Sequence, residues 1–286
     1  MRERLRIAVP NKGRLVEPTL ALLHASGLMF EEHDRSLVAH VANHPLDILF
    51  VRTGDVVEFV NDGVAEAGIT GGDILAESGV ELTVLRQLGY GRCRLAAAVA
   101  ADAPYHSFSD LNGVRVATSH PGVTRRFFAE QGITVEVIPL SGAVEVAPRL
   151  GLADAIVDLV STGSTLAMNG LRPIGDILAS EAVLVASHAA IRQRPEELDA
   201  IVTMFGAVIA ARDRKYLMMN APADKLPELE QLLPGLESPS VIPLAHAGMI
   251  AIHSVVGADE VWGLLPRLKA AGASGILVLP IEKILP

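Results

Sequence analysis

Cysteine is nearly absent: the chain of 286 residues has one, Cys93. No disulfide can close within it, and no thiolate cluster can hold a metal. Aromatic residues are scarce, at seven Phe, three Tyr and one Trp. So few rings offer little platform for stacked bases, which disfavours single-strand nucleic-acid binding. Positive charge is the minority sign, with 24 Lys and Arg against 33 Asp and Glu, a net charge of −9. A general nucleic-acid binder needs an extended basic surface to displace counterions, so no nucleic-acid partner is expected. No apolar run approaches the ~18 residues of a membrane span. The charged opening MRERLRIAVPNKGRL lacks the apolar segment of a secretory signal. The motifs GxxxxGK[ST], HExxH and GxSxG are also missing. Half of the residues are nevertheless hydrophobic. A chain this long buries enough of them to need no covalent or metal staple. The expectation is a cytoplasmic α/β protein with no membrane partner.

Short aliphatic runs alternate with helical patterns. Leu5–Val9 reads as a buried strand, followed by a helix with Leu15, Thr19, Leu22 and Leu23 inward and Gly27 as its stop. Strands are expected at residues 37–41, 46–51, 66–70, 82–85, 94–100, 114–118, 134–139, 155–160 and 184–187. Helices are expected at 56–61, 73–78, 122–130, around 144–150, from 162, and from 195 to about 212. Such alternation predicts mostly parallel sheets in two α/β lobes, with ligands at the carboxyl ends of the strands. Lobe I takes residues 1–92 plus about 181–212, and lobe II takes 93–180. The remaining residues, 213–286, read β-α-β-β-α-β, the split plan of ferredoxin-like modules, with a helix stop expected at Pro234-Gly235.

Four stretches could carry chemistry. In Asp154-Ala-Ile-Val-Asp158-Leu-Val-Ser161-Thr162-Gly163-Ser164-Thr165 a buried strand opens into hydroxyls around one glycine, where a helix begins. Backbone N–H groups and short hydroxyls there suit a phosphate. Asp154 and Asp158, four apart, fall on one face of the strand and suit sugar hydroxyls or a cation. The plainer reading is an N-capped helix after a core strand. Lys12 and Arg14 flank Gly13 at the end of the first strand. Arg52 follows another strand, and Gly71 and Asp73 a third. Each of these also reads as an ordinary strand–helix turn, with Asp73 as an N-cap. Glu145, in Ser141-Gly-Ala-Val-Glu145, also reads as a first-turn acid. Cys93 reads as a buried structural thiol.

The segments Ala8-Val-Pro-Asn-Lys-Gly-Arg-Leu15, Phe50-Val-Arg52, Gly68-Ile-Thr-Gly-Gly-Asp73, Ala117-Thr-Ser-His-Pro121 and, most specifically, Gly151–Leu171 resemble the ATP phosphoribosyltransferase family. The likeness continues through Tyr216-Leu-Met-Met219 and Pro234-Gly-Leu-Glu-Ser-Pro239. It implies the long form of the family: a two-lobed, periplasmic-binding-protein-like (type II) catalytic core with a C-terminal ferredoxin-like (βαββαβ, ACT-like) regulatory domain. The implied reaction joins the 5-phosphoribosyl group of 5-phosphoribosyl-1-pyrophosphate to N1 of the ATP adenine with release of pyrophosphate, opening histidine biosynthesis.

The resemblance also implies roles. Ser161, Thr162, Gly163, Ser164 and Thr165 would hold the ribose 5-phosphate, with Asp154 and Asp158 on ribose hydroxyls or Mg²⁺. Lys12, Gly13, Arg14, Arg52, Gly71 and Asp73 would face the pyrophosphate and nucleotide, and Glu145 the sugar phosphate. Lys12, Arg52, Glu145 and Asp154 form the implied catalytic set. L-histidine would inhibit at the C-terminal domain near Asn220, Ser240 and Gly275, and the chain would form a homo-oligomer, dimer to hexamer. Asn220 departs from the acid often found there in related sequences. The competing readings are a two-lobed binding protein for a nucleotide or phosphorylated sugar, and a non-catalytic regulatory subunit.

Overall fold

The computed structural model describes residues 4–31, 36–233 and 238–285, so the expected stop at Pro234-Gly235 lies outside the described residues. The chain divides into two compact units, Met1–Val202 and Thr203–Pro286. The first begins with β1 (Leu5–Pro10), α1 (Val16–Ala25), β2 (Val38–His40), β3 (Leu46–Val51), α2 (Asp55–Asn61), β4 (Ala67–Gly71), α3 (Gly72–Ser78) and β5 (Thr83–Gln87). It continues through β6 (Cys93–Ala100), β7 (Arg115–Thr118), α4 (Pro121–Glu130), β8 (Glu136–Pro139), β9 (Ala155–Val160), α5 (Ser164–Met168) and β10 (Leu171–Ser180). The chain then returns in β11 (Ala182–Ala186), α6 (His188–Gln193) and α7 (Pro195–Ala211).

Two sheets result, ordered β2-β3-β1-β4-β11-β5 and β10-β6-β9-β7-β8. Setting aside the short β2, both follow one plan. The first strand of each lobe is flanked by its second and third, and a strand arriving from the other lobe (β11 or β6) sits between the third and the last. This is the two-lobed, type II arrangement. The sheets are mixed rather than mostly parallel. β1, β3 and β4 run parallel, as do β7, β8 and β9, whereas β11 and β6 run antiparallel to their neighbours. The reason is topological: a strand that crosses between lobes enters from the opposite end.

β1, β4 and β11 are covered on both faces, so they are near-continuous aliphatic runs, and Ile7, Ile69 and Leu184 are fully buried. Each such side chain contributes about 1.5–3 kcal/mol of burial. Leu15, Thr19, Leu22 and Leu23 are buried as expected, and Gly27 has φ +92° after α1. The region around 144–150 forms a single 3-10 turn, Val144–Val146, not a helix; it is entered through Ala143 at φ 53°.

The ten-residue strand β10 was not expected. Pro173 and Gly175 mask it, and its register against β6 shifts between these two residues and again between Asp176 and Leu178. β10 is an edge strand, where proline is tolerated. Gly175 leaves room for Phe108, whose ring would lie 2.4 Å from an added Cβ. That ring is wedged edge-on against Phe127 and Phe128 and cannot yield.

The second unit contains β12 (Arg214–Pro222), α8 (Leu226–Leu232), β13 (Ser240–Pro243), β14 (Met249–Gly257), α9 (Val261–Ala270) and β15 (Ser274–Pro280). Its sheet is antiparallel in the order β13-β14-β12-β15, which is the ferredoxin-like order. Leu217, Met219, Ile252 and Val256 meet Leu229, Leu264 and Leu268 of the helices in one core. Among the described residues no helix is long and apolar enough to cross a membrane.

Gly175→Ala forces a methyl into the Phe108 ring and is expected to cost about 1–3 kcal/mol of stability, read as a lowered urea midpoint. An unchanged midpoint refutes the close-packing account.

Candidate functional site at the facing strand ends

Three loops leave the carboxyl ends of parallel strands in lobe I. The Asn11 N–H donates to the Val51 carbonyl (2.7 Å), the Thr53 hydroxyl reaches the Lys12 carbonyl (3.5 Å), and the Thr70 hydroxyl reaches the Thr53 carbonyl (3.2 Å). These bonds hold the Lys12–Arg14, Arg52–Asp55 and Gly71–Gly72 turns side by side. Lys12, Gly13, Arg14 and Arg52 are exposed. Arg14 is engaged, its guanidinium 2.9 Å from the Sγ of Cys93, which is itself buried as expected.

In lobe II the carboxyl end of β9 opens into Ser161–Thr165. Ser161, Thr162, Ser164 and Thr165 are exposed, and the Thr162 and Ser164 hydroxyls lie 3.0 Å apart. Gly163 has φ +82° at the start of α5, a conformation that favours glycine. Asp158, three residues before the loop, is half-buried. Burial raises its pKa, and the nearby Glu145 charge raises it further, against the Leu159 N–H and His120, which lower it. The structure therefore brings together the hydroxyl loop, Asp158 and Glu145.

It does not bring Asp154 to them. Asp154 stands before β9, at the end of the strand opposite the loop. Its carboxylate takes two hydrogen bonds from the Arg115 guanidinium (3.0 and 2.9 Å) and one from the Arg115 N–H (3.2 Å). Strand rise corrects the expectation: residues four apart share a face but lie about 13 Å apart along it, too far to share one ion or one ribose. Asp154 is a strand-start anchor, and the Arg115 hydrogen bond holds its carboxyl below the usual range.

Gly71 and Asp73 are corrected too. Asp73 is 3% exposed and lies in the first turn of α3, two residues beyond Gly71, which takes the N-cap position expected of Asp73. The Ser180 hydroxyl donates to its Oδ1 (2.6 Å), and His120 Nε2 lies 3.4 Å from its Oδ2. An added Cβ on Gly71 would meet the Asp73 carboxylate at 2.4 Å. Gly71 thus makes room for that side chain.

His120 follows the end of β7 and Asp73 follows the end of β4. Their contact shows that the carboxyl ends of the two sheets face each other. His120, with Glu77, Ser180 and Arg115, escaped the sequence reading. The sequence signal for His120 is Thr-Ser-His-Pro at a strand–helix junction. In the second unit Asn220 and Gly275 are neighbours, with an added Cβ on Gly275 3.5 Å from Asn220 Nδ2. Ser240 is separated from them by β14.

Paired parallel-strand ends, basic turns on one lobe and a hydroxyl loop on the other define a two-lobed α/β protein built to hold a phosphorylated ligand. Comparison with known proteins narrows this. The family profile "ATP phosphoribosyltransferase" matches residues 52–207, and that of the "HisG, C-terminal domain" matches 211–283. The chain is 46% identical to an ATP phosphoribosyltransferase of Gemmatimonas aurantiaca, covering 99% of this chain and 100% of that one. It is 42% identical to that of Bacteroides fragilis, covering 98% and 99%. A solved structure titled as an ATP phosphoribosyl transferase (HisG:HisZ) complex from Thermotoga maritima is 30% identical, with a TM-score of 0.61, covering 70% of this chain and 98% of that one. The chain belongs to the ATP phosphoribosyltransferase family, in its long form with the C-terminal domain. It is a transferase of histidine biosynthesis that moves the 5-phosphoribosyl group of 5-phosphoribosyl-1-pyrophosphate to N1 of the ATP adenine.

Because the Asp154 pKa is lower folded than unfolded, its contribution to stability is present above the unfolded value and is lost as pH falls through the folded one. Wild type is expected to lose more stability than Asp154→Asn between about pH 5 and pH 3, with donor KM equal in the two at neutral pH. A steep rise in donor KM for Asp154→Asn would return Asp154 to the site.

Proposed function

We propose that lobe II holds the phosphoribosyl donor through the Ser161–Thr165 loop, with Asp158 and Glu145 on the ribose, and that Lys12, Arg14 and Arg52 of lobe I face the pyrophosphate and triphosphate. The observation that carries this reading is the exposed hydroxyl loop around the left-handed Gly163, next to a half-buried carboxylate at the end of a core strand. Adenine N1 already carries a lone pair, so no activated serine or cysteine is required. As the C1–oxygen bond breaks, positive charge grows on the ribose and negative charge on the leaving group. Asp158 and Glu145 suit the first and the lobe I cations the second. Holding both substrates in line supplies much of the remaining acceleration.

Mg²⁺ fits the carboxylates. Among the described residues no group of three or more His, Cys, Asp or Glu could hold a metal, but Mg²⁺ commonly takes only one or two carboxylates plus substrate phosphates. Asp158 and Glu145, whose charges repel, are the residues that would hold it. Once bound, it would neutralise charge on the pyrophosphate.

The C-terminal domain is proposed to bind L-histidine near Asn220 and Gly275, with Ser240 on the outer strand. Trp262, Ile242 and Leu277, exposed on the same domain, support assembly into dimers and hexamers. A cytoplasmic location accords with a biosynthetic enzyme.

Thr162→Ala combined with Thr165→Ala removes two hydroxyls from the donor phosphate and is expected to raise donor KM about 100-fold or more, measured by pyrophosphate release. An unchanged donor KM discredits the phosphate assignment. A charge-assisted bond is worth about 1.5–3 kcal/mol against about 1 for a neutral one. Asn220→Asp is therefore expected to tighten histidine inhibition by about 2- to 30-fold. Equal inhibition constants for wild type and variant would sink the regulatory assignment of Asn220.

A further inference from the structure

Polar contacts concentrate where α3 of lobe I meets α4 of lobe II. Glu77 Oε1 and Oε2 accept the N–H groups of Gly122 (2.7 Å) and Val123 (2.8 Å), filling the N-terminus of α4 with a carboxylate from the other lobe. The Arg126 guanidinium donates to the Ala76 carbonyl. Asp73 and His120 meet at 3.4 Å, with side chains 4% and 6% exposed. Ser180, at the crossing from β10 to β11, donates to Asp73 Oδ1 (2.6 Å) and accepts the Asp73 N–H (2.9 Å). The other ring nitrogen of His120 meets the Ser119 hydroxyl at 3.0 Å, and its backbone N–H donates to the Thr118 hydroxyl. Both imidazole nitrogens are thereby used, and the ring is locked.

Two glycines allow the close approach. A Cβ on Gly122 would lie 3.0 Å from the Glu77 carboxylate and 3.1 Å from its carbonyl. Gly71 clears the Asp73 carboxylate, as above. The seam adjoins the reacting region through β7: Thr118, two residues before His120, pairs with Val157 of β9, the strand that opens into Ser161–Thr165.

We infer that His120 is a positioning residue for phosphoribosyl transfer: clamped to Asp73, and backed by the Glu77 cap on α4, it fixes the separation and tilt of the donor-holding loop relative to the basic turns of lobe I. This rests on the donor and nucleotide lying on opposite lobes. Neither substrate needs the seam in order to bind its own lobe. Productive alignment of the two does, because a misplacement of about 1 Å can cost about 100-fold in rate. Asp73 thereby acts on the reaction through His120 and the lobe geometry, without contacting a ligand.

The test compares wild type with His120→Gln, Asp73→Asn, the double variant, and Gly122→Ala as a wedge that removes no polar group. Donor affinity is measured by calorimetry without ATP, and kcat and both KM values by pyrophosphate release. The expectation is a kcat lowered about 10- to 100-fold, donor affinity within about threefold of wild type, and a double variant no worse than the poorer single, as for residues sharing one contact. His120→Gln, whose amide N–H can stand in for Nε2 near Asp73, should lie between wild type and His120→Asn, whose side chain is too short to reach it. Unchanged kcat in His120→Asn and Gly122→Ala overturns the inference. So does a loss confined to donor affinity, which would make His120 a donor ligand. Should the buried substitutions prevent folding, Glu77→Gln at the half-buried edge of the seam is read the same way. Donor affinity of the Thr162→Ala, Thr165→Ala variant reports separately on the proposed donor site.

Discussion

A carboxylate cannot be buried alone, and in the first unit that constraint falls on Asp73. Burial pushes its pKa up, and the hydrogen bonds from His120, Ser180 and its own backbone outweigh that and hold it below the usual carboxylate range. Those partners come from three places: the turn after β4, the end of β7 and the crossing from β10 to β11. Satisfying one charge therefore ties lobe I, lobe II and the crossing segment together. The crossing is itself knitted by backbone bonds, from the Ala182 N–H to the Tyr90 carbonyl (2.9 Å), from Leu88 to Ala182 (2.9 Å) and from Gly72 to the Glu181 carbonyl (2.9 Å). Removing one member of such a group leaves a desolvated charge short of a donor, which is costlier than losing an exposed ion pair.

The elements legible in the sequence are those whose burial is uniform or strictly periodic. β1, β3, β4 and β9 are aliphatic runs with core on both faces, and the inward face of α1 shows at helical spacing. β10 was hidden because an edge strand tolerates Pro173 and because Gly175 answers to a ring 67 residues earlier in the chain, a constraint that local pattern does not carry. Strand direction departs from expectation for the same kind of reason. Alternation of strands and helices predicts parallel neighbours only while the chain stays in one sheet, and β6 and β11 enter from the other.

The site was legible where chemistry and turn geometry coincide in sequence. Ser161–Thr165 carries its own hydroxyls and its own left-handed glycine, so no distant residue is needed to recognise it. Asp154 failed because side-chain periodicity gives a face but not a distance. A glycine-rich turn after a strand reads the same whether it admits a ligand or a neighbouring side chain, and Gly71 admits the carboxylate of Asp73. His120 and Glu77 were invisible because their partners are 47 and 45 residues away across the lobe boundary.

The net charge of −9 also needs a local reading. It disfavours a long polyanion, which requires an extended basic surface. A small polyanion requires only a few cations on one side of a site. Lys12, Arg14 and Arg52 leave adjacent strand ends of lobe I, whereas the opposing end in lobe II offers hydroxyls and two carboxylates. On the proposed reading this segregation matches a reaction in which one bond separates into a cationic sugar and an anionic leaving group. Charges of opposite sign placed on opposite lobes act only at the distance at which the lobes are held. The contacts between α3 and α4 are therefore part of the same electrostatic arrangement as the residues facing the substrates.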